Sequence, residues 1–321
     1  MVRYVIRRIL WAGVLFVAVT IVTYVIFFIV PANPANLVCG RSCTPQQVHQ
    51  TEKFLGLDDP VYVQYGRFLK QLVVDHSLGR SFASRREVND IVGGAAPVTA
   101  SLVFGGIFLA MLWGVSVGIV SALRPRSFLD RTAMVLILIG ISAPTAWIGL
   151  LFAYFLGFKA HLFPITGYCD FFNPSTDCGG PAQWTYHLIL PWATFMVFFA
   201  ALYTRLTRAN VLEIQTEDYV RTARAKGAPE WRVLRSHILR NALLPLVTIL
   251  GMDVGLALGG AVFTESVFGL PGLGRVIIQS LENFDLPVTQ GVVVFATLAV
   301  LTLNLIVDLL YAVIDPRIRL A

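Results

Sequence analysis

The chain of 321 residues is 56% hydrophobic and only 14% charged, and its mean hydropathy is +0.70. Soluble globular domains carry about 25% charged residues, so this composition excludes an ordinary soluble domain and indicates several membrane spans. In such a protein the positions of the basic residues indicate membrane orientation, so the net charge of +6 does not point to nucleic acid, and we expect no nucleic-acid partner. Five histidines and four cysteines are too few and too scattered to indicate a metal centre.

Six apolar segments are long enough to cross a bilayer, which takes about 20 residues for roughly 30 Å of hydrocarbon. They cover residues 9–30, 96–122, 131–158, 187–207, 241–264 and 291–313. The first follows Arg3, Arg7 and Arg8 and could be a cleaved signal peptide. Its apolar run of about 22 residues is longer than a signal core, however, and no A-x-A site follows. We predict an all-α membrane protein with six transmembrane helices, the first within residues 1–30.

The basic residues predict the orientation of these spans. An even number of spans puts both termini on one side, and that side would hold 16 of the 25 Lys and Arg residues. Seven of the remaining nine lie in one loop of about 65 residues, whose length weakens their influence. We therefore expect both termini and the loop over residues 211–240 to be cytoplasmic.

Two long loops would then face the outside. The first, residues 31–95, contains LGLDDPVYVQYGRFLKQLV, where Pro60 follows two aspartates and apolar residues recur at helical spacing. We predict an extracytoplasmic cap region that contains one short helix. The second loop, about residues 159–186, is rich in Gly, Pro, Asn and Asp and should be mostly irregular.

All four cysteines lie in these two loops, where an oxidising compartment permits disulfides. Local pairing would join Cys39 to Cys43 and Cys169 to Cys178, while pairings across the loops stay open. A zinc site is disfavoured because the only nearby histidine is His49 and no C-x-x-C motif occurs.

The 211–240 loop has the pattern of a helical hairpin. Thr216 can cap a helix whose first turn carries Glu217 and Asp218, which suit the positive end of the helix dipole. Gly227 can end that helix in the left-handed conformation, and a proline then starts a second helix. Helices this short are marginal in water, so another surface must hold them. A solvated loop, a segment on anionic lipid and a helix in the groove of a soluble protein all fit this pattern.

The same segment resembles the cytoplasmic loop of permease subunits of bacterial ABC importers. That loop has an acidic start, an alanine, a glycine and a closing Leu-Pro, matched here by Glu217, Ala223, Gly227 and Leu244-Pro245. It departs from the pattern in the Asp-Tyr pair after Glu217, where two alanines are usual. The form DYVRTARAKG is similar to the dipeptide, oligopeptide and nickel branch. So are YVIRRIL, LGLDDPVYVQY, FTESVFGLPGLG and DLLYAVIDPRIR, which extend the resemblance over nearly the whole chain.

The resemblance implies the first, longer permease subunit of a peptide importer in the bacterial plasma membrane. It implies the type I permease fold, with residues 96–321 as the core transmembrane domain. The implied partners are a second homologous permease subunit, two cytosolic ATP-binding subunits, an extracytoplasmic substrate-binding protein, the peptide and membrane lipid. Nickel chelates, glutathione or another small solute remain alternative cargoes, and an ion-gradient secondary transporter is the alternative from a different class.

In such a complex the partner ATPases would drive alternating access through the coupling loop. The residues that would form this contact are Glu217, Asp218, Tyr219, Ala223, Lys226 and Gly227. The chain contains no G-x-x-x-x-G-K-[ST] phosphate loop, and the glycine-rich stretch 269–274 lacks the lysine and the hydroxyl. We therefore expect a non-catalytic subunit with no cofactor of its own.

Polar residues inside the spans are candidates for the translocation path, because burying them in lipid is costly. Asp253, in the fifth span, is the deepest, and a hydrogen bond to a neighbouring helix is its alternative role. Ser142, next to Pro144 where the third span is interrupted, and Asn304 in the sixth span are the other candidates.

The stretch FTESVFGLPGLG, residues 263–274, is interpreted as the chain turning or re-entering at the outer mouth. Its candidates for an outer gate are Glu265, Phe268, Pro271 and Gly272, with a plain tight turn as the alternative. The Gly114-x-x-x-Gly118 motif in the second span permits close helix packing, either between subunits or within the chain.

Overall fold

In the computed structural model the described residues are 2–29, 44–46, 49, 53, 59–172 and 178–314. Helices make up most of them. In chain order these are α1 (Val2–Tyr24, continued by a π-helical turn over Val25–Ile29), α2 (Val61–Val73), α3 (Val88–Leu123), α4 (Phe128–Ser142), α5 (Thr145–Phe152, continued by a π-helix over Ala153–Lys159), α6 (Pro181–Ile214), α7 (Asp218–Ala225), α8 (Glu230–Val233, continued by a π-helix over Leu234–Leu239), α9 (Arg240–Ala242), α10 (Leu244–Phe268), α11 (Leu273–Glu282) and α12 (Leu286–Ile314).

The described parts of the six predicted spans are helical, except for breaks at residues 143–144 and 243. Among the described residues, five helical stretches are long and apolar enough to cross a membrane singly. They are Ile6–Phe27, Val88–Leu123, Pro181–Ile214, Glu230–Gly255 and Leu286–Val307. Two further pairs of consecutive helices are long and apolar enough only when the two helices are counted as one span. These pairs, α4 with α5 and the end of α10 with α11, are each bent at a short break. The all-α multi-span class is confirmed.

The third predicted span contains a sharp corner. Helix α4 ends at Ser142, α5 begins at Thr145, and the two axes differ by 107°. Pro144 is the cause, since a proline forces the residue before it out of the helical region, and Ala143 is extended with ψ 130°. The interruption predicted from the sequence is thus a break between two helices of different direction, and not a kink within one continuous helix.

The contacts divide the chain into two compact units, of which the first comprises residues 1–99, 271–305 and 319–321 as far as they are described. Its core is formed by apolar side chains of α3, α11 and α12, namely Val88, Val92, Ala95, Leu273, Val288 and Val292. The buried carboxylate of Asp285 accepts hydrogen bonds from the Ser81 hydroxyl and from the backbone N–H groups of Phe82 and Ala83, at 3.0 and 3.3 Å for the latter two. This bonding fixes the segment that precedes α3 against the turn that precedes α12.

Helix α2, in the same unit, begins directly after Pro60 and confirms the short helix predicted in the first long loop. It packs against α1 through aromatic and polar side chains. The hydroxyls of Tyr65 and Thr20 are 2.9 Å apart, and the Tyr24 hydroxyl donates to Gln64 at 3.0 Å. The helix is amphipathic, as its sequence spacing requires.

The second unit comprises residues 100–270 and 306–318 as far as they are described. In it α3 packs closely on α6 at the glycine pair predicted from the sequence. A Cβ atom on Gly114 would lie 2.7 Å from the Cβ of Tyr203, and one on Gly118 would lie 2.7 Å from the Cβ of Thr207. Such distances are too short for any side chain, so the motif serves helix packing within this chain.

Candidate coupling site and translocation path

The hairpin predicted between residues 211 and 240 is present as α7 and α8. Its first helix starts differently from the prediction. Helix α6 continues to Ile214, so Thr216 lies in the turn that ends it and donates its hydroxyl to the carbonyl of Glu213 at 2.7 Å. The N-cap of α7 is Glu217, whose side chain makes no capping hydrogen bond. The expectation that Thr216 caps α7 was wrong, because tertiary packing prolongs the preceding helix.

Gly227 ends α7 in the left-handed conformation, with φ +76°. Its N–H donates to the carbonyl of Arg224 at 2.9 Å, and the next N–H, of Ala228, donates to Ala223 at 3.2 Å. These two bonds form a Schellman motif, the common helix stop that requires a left-handed residue. A Cβ added to Gly227 would meet no described atom within 4 Å, so backbone conformation and not space requires glycine.

The chain itself holds the hairpin. Val220 of α7 is buried against Val233 and Ile238 of the second arm, and these pack on Ala122 of α3 and Val211 of α6. This group, with Ala242, is called the hairpin core below. The hairpin core therefore covers the main apolar side of both arms and supports the two helices from within the chain.

Outside this core the hairpin exposes mainly basic side chains and two aromatic ones. Trp231 is 68% exposed and Tyr219 is 42% exposed. The exposed residues around them are Glu217, Asp218, Arg221, Arg224, Lys226, Gly227, Arg232 and Arg235. Arg224 is held by Glu230 at 2.9 Å. Aromatic and arginine side chains on one surface are typical of protein–protein contacts.

The six predicted coupling residues therefore divide into two groups. Glu217, Asp218, Tyr219, Lys226 and Gly227 are exposed. Ala223 instead lies on the inner side, partly buried against the hairpin core, where its small size permits close packing. Trp231 was not among the predicted site residues, although a tryptophan in a charged segment was the available signal.

A buried ion pair lies beside the hairpin core and was not predicted. The Asp130 carboxylate of α4 is 4% exposed and receives Nε and Nη2 of Arg208 at 2.7 and 3.1 Å. It also accepts the hydroxyl of Ser121 and, at 2.9 Å, the backbone N–H of Arg126. The local signal was the capping pattern formed by Ser127 and Asp130; the partner on α6 has no local signal.

The path candidates occupy three different environments. Asp253 is 6% exposed within α10, and its Oδ2 has no hydrogen-bond partner among the described residues. Its carboxylate interacts electrostatically with the hydroxyl of Tyr203 on α6, yet the two groups do not meet hydrogen-bond geometry, and that hydroxyl is also unpaired in the described part of the chain. Ser142 is exposed at the corner between α4 and α5, and Asn304 is half-buried in α12. Tyr203 is thus an electrostatic neighbour of Asp253, without a hydrogen bond between them.

The gate candidates lie at the turn between α10 and α11, which changes direction by 83°. Helix α10 ends at Gly269, which is left-handed with φ +63°, and the N–H of Leu270 donates to the carbonyl of Glu265 at 2.9 Å. Among the candidates, Glu265, Phe268 and Gly272 are buried and Pro271 is exposed. Phe268 packs beside Gly149 of α5. The chain therefore bends by 83° at this segment, and the proposed outer gate stays a prediction.

The second long loop contains a disulfide between Cys169 and Cys178, with the Cα atoms 5.2 Å apart. The imidazole Nδ1 of His187 lies 3.2 Å from the Cys169 sulfur. These three residues could hold a metal only as thiolates and imidazole, and the disulfide removes both thiolates. The predicted pair Cys39 and Cys43 lies outside the described residues.

Comparison with known proteins gives a consistent result. Residues 114–320 match the model of the family described as the binding-protein-dependent transport system inner membrane component, and residues 1–103 match the model of its N-terminal region. The dipeptide transport system permease protein of Alkalihalophilus pseudofirmus is 36% identical over 334 residues, covering 99% of this chain and 100% of the relative. A peptide transport system permease protein of Brucella abortus strain 2308 is 35% identical over 319 residues, covering 99% of each.

Among solved structures, an inward-facing form of the MetNI methionine ABC transporter shares the fold. Its TM-score is 0.56 at 18% identity, and the match covers 70% of this chain and 96% of that chain. At this identity the likeness concerns the fold alone.

Proposed function

The chain belongs to the family of binding-protein-dependent transport system inner membrane components, and from this premise we propose that it is the translocation subunit of an ATP-driven peptide importer. It would pair with a second homologous permease subunit. Two cytosolic ATP-binding subunits would supply the energy, and an extracytoplasmic binding protein would deliver the peptide. The chain itself carries no catalytic step and no cofactor in this proposal.

The hairpin is the observation that supports this role most directly. Its fold is stabilised from inside by the hairpin core, while its outer face leaves Trp231, Tyr219 and several arginines exposed. A helical hairpin with such an exposed surface can bind in a groove of a soluble partner protein. Movement of that partner would be passed to α3 and α6, because their ends form part of the same core.

The orientation follows from the basic residues. We place both termini and the hairpin in the cytoplasm, where Lys and Arg are enriched in short loops. Helix α2, the disulfide loop and the turn between α10 and α11 would then face the outside. In this orientation Glu265, Phe268, Pro271 and Gly272 would form part of an outer gate, and Asp253, Ser142 and Asn304 would contribute to the path.

The proposed cargo is a dipeptide or oligopeptide. The support comes from the names of full-length relatives at 35 and 36% identity. Selectivity in such a system would rest largely with the binding protein, which is a separate chain. Nickel chelates and glutathione are therefore the natural competitors to test.

The test is uptake by the complex purified with its native partners and reconstituted into vesicles. We expect uptake of a labelled dipeptide that requires ATP and the binding protein and survives an ionophore. A nickel chelate or glutathione should compete weakly. Uptake that continues without ATP but stops when the ion gradient is dissipated would overturn the proposal in favour of a secondary transporter.

A further inference from the structure

We propose that Asp130 and Arg208 form a charged clamp that makes α4 move together with the hairpin core, and that they are therefore positioning residues for coupling. This inference rests on the proposed function, because it concerns how movement of the hairpin reaches a span. It assigns a task to a buried ion pair that the candidate path and the exposed hairpin face do not use.

The clamp joins four pieces of the chain at one carboxylate. Asp130 belongs to α4, Ser121 to the end of α3, Arg126 to the connecting turn and Arg208 to α6. Oδ1 receives Ser121 and the Arg208 Nε, while Oδ2 receives the Arg126 N–H and the Arg208 Nη2. Both oxygens are fully used, and the two bonds from one guanidinium fix its orientation as well as its distance.

The clamp adjoins the residues that support the hairpin. Ala122, which follows Ser121, and Val211, about one helical turn beyond Arg208, are the contributions of α3 and α6 to the hairpin core. Any displacement of the hairpin therefore acts first on the same helix ends that carry the clamp. Helix α4 contributes no residue to that core, so the clamp gives it a specific polar connection there.

The far end of α4 explains what this connection can achieve. Helix α4 runs from the clamp to the corner at Pro144, where the chain turns by 107° into α5. Helix α5 contacts the end of α10 at Phe268, one of the gate candidates. A movement of α4 is thus carried to a corner next to that segment.

The burial of the pair makes the clamp sensitive to charge. Asp130 is 4% exposed, and the Arg208 side chain is 26% exposed. Removing one partner of a buried pair leaves an uncompensated charge. The pair Arg80–Glu87 provides a control outside the hairpin, because its side chains are 75% and 41% exposed and exposed pairs contribute little.

The experiment measures peptide taken up per ATP hydrolysed by assembled complexes in vesicles, for Asp130→Asn, Arg208→Lys and Glu87→Gln. Lysine keeps the charge of Arg208 but cannot make the bidentate contact. We expect uptake per ATP to fall at least about tenfold in Asp130→Asn and less in Arg208→Lys, with Glu87→Gln within about twofold of the wild type.

A purely structural pair would act differently. It would lower the amount of assembled complex and leave uptake per ATP unchanged in the complexes that do assemble, and this outcome overturns the clamp. If Asp130→Asn does not assemble, Arg208→Lys decides: an unchanged ratio there also overturns it. Failure of the wild-type complex to show ATP-driven uptake would instead reject the proposed function, so the two failures are distinguishable.

Discussion

At the scale of single residues, backbone conformation and buried polarity explain the most informative positions. Gly227 is required by its dihedral angles, since φ is +76° and no described atom approaches the place of a Cβ. Asp253 and Tyr203 are informative for the opposite reason, because each has a buried oxygen without a hydrogen-bond partner in the described part of the chain. Such groups are retained in membrane interiors mainly where function needs them.

Two substitutions of Gly227 test whether its left-handed backbone conformation, and not the small size of glycine, is what the hairpin requires. A valine in the left-handed region costs roughly 1–2 kcal/mol, so Gly227→Val should loosen the end of α7 and reduce ATP-driven uptake with the complex still assembled. Gly227→Asn should retain most uptake, because asparagine tolerates this conformation. Uptake and co-purification of the ATP-binding subunits measure the two effects, and equal uptake for both variants would contradict the backbone explanation.

The buried oxygens of Tyr203 and Asp253 lead to opposite expectations. Tyr203→Phe removes an unpaired buried hydroxyl. The free energy of unfolding should therefore stay the same or rise by up to about 1 kcal/mol, and the melting temperature should stay the same or rise with it. Asp253→Ala should reduce uptake if the carboxylate contributes to the path. Thermal unfolding in detergent and vesicle uptake measure these outcomes. Normal uptake in Asp253→Ala would reject the path role.

At the scale of elements, the hairpin is a small structure whose two faces have different tasks. Its inner residues Val220, Val233 and Ile238 are fully buried, whereas Trp231 points outward. The short arms would be marginal alone, so their stability comes from α3 and α6. The same contact that folds the hairpin therefore also makes it a mechanical part of the spans.

Two substitutions in the second arm test this division. Ile238→Ala leaves a cavity in the hairpin core and should destabilise the hairpin by about 2 to 5 kcal/mol, which limited trypsin digestion detects as faster cleavage after the hairpin arginines. Trp231→Ala should leave the digestion rate unchanged and weaken co-purification of the ATP-binding subunits. Weakened co-purification without faster cleavage in Ile238→Ala would contradict the assignment of the two faces.

At the scale of the whole molecule, the basic residues are distributed unevenly between the two sets of loops. The 211–240 loop, the Arg124–Arg126 turn and both terminal segments contain 13 of the 25 Lys and Arg residues. This asymmetry guides how such a chain inserts, and in the proposed orientation the hairpin would lie in the cytoplasm, where ATP is available.

The orientation can be checked with sealed vesicles. Trypsin added to inside-out vesicles should cleave the hairpin between Arg221 and Arg235, while right-side-out vesicles should protect it. A cysteine that replaces Tyr62 in α2 should show the reverse pattern: a membrane-impermeant thiol reagent should label it in right-side-out vesicles and not in inside-out vesicles. Cleavage of the hairpin from the outside would overturn the orientation.

Local information was sufficient for the spans, the hairpin, its glycine stop and the helix after Pro60. Each depends on residues within one or two helical turns: continuous apolar runs, a left-handed Gly227, a proline at a helix start. The interruption at Pro144 was also visible, because the restriction that a proline places on its neighbour is local, but the 107° change of direction was not.

The remainder was decided by packing between distant segments. Arg208 lies 78 positions from Asp130, and Ala122 and Val211 come from two different helices to support Val220 and Ile238. Thr216 failed as a cap because α6 continues to Ile214 and Glu217 occupies the N-cap position of α7. The sequence by itself thus determined which segments are helical and membrane-spanning, since transfer into lipid and backbone preference act residue by residue. Only the tertiary structure decided which buried charge pairs with which and what holds the hairpin, because those energies exist only once separate helices are in contact.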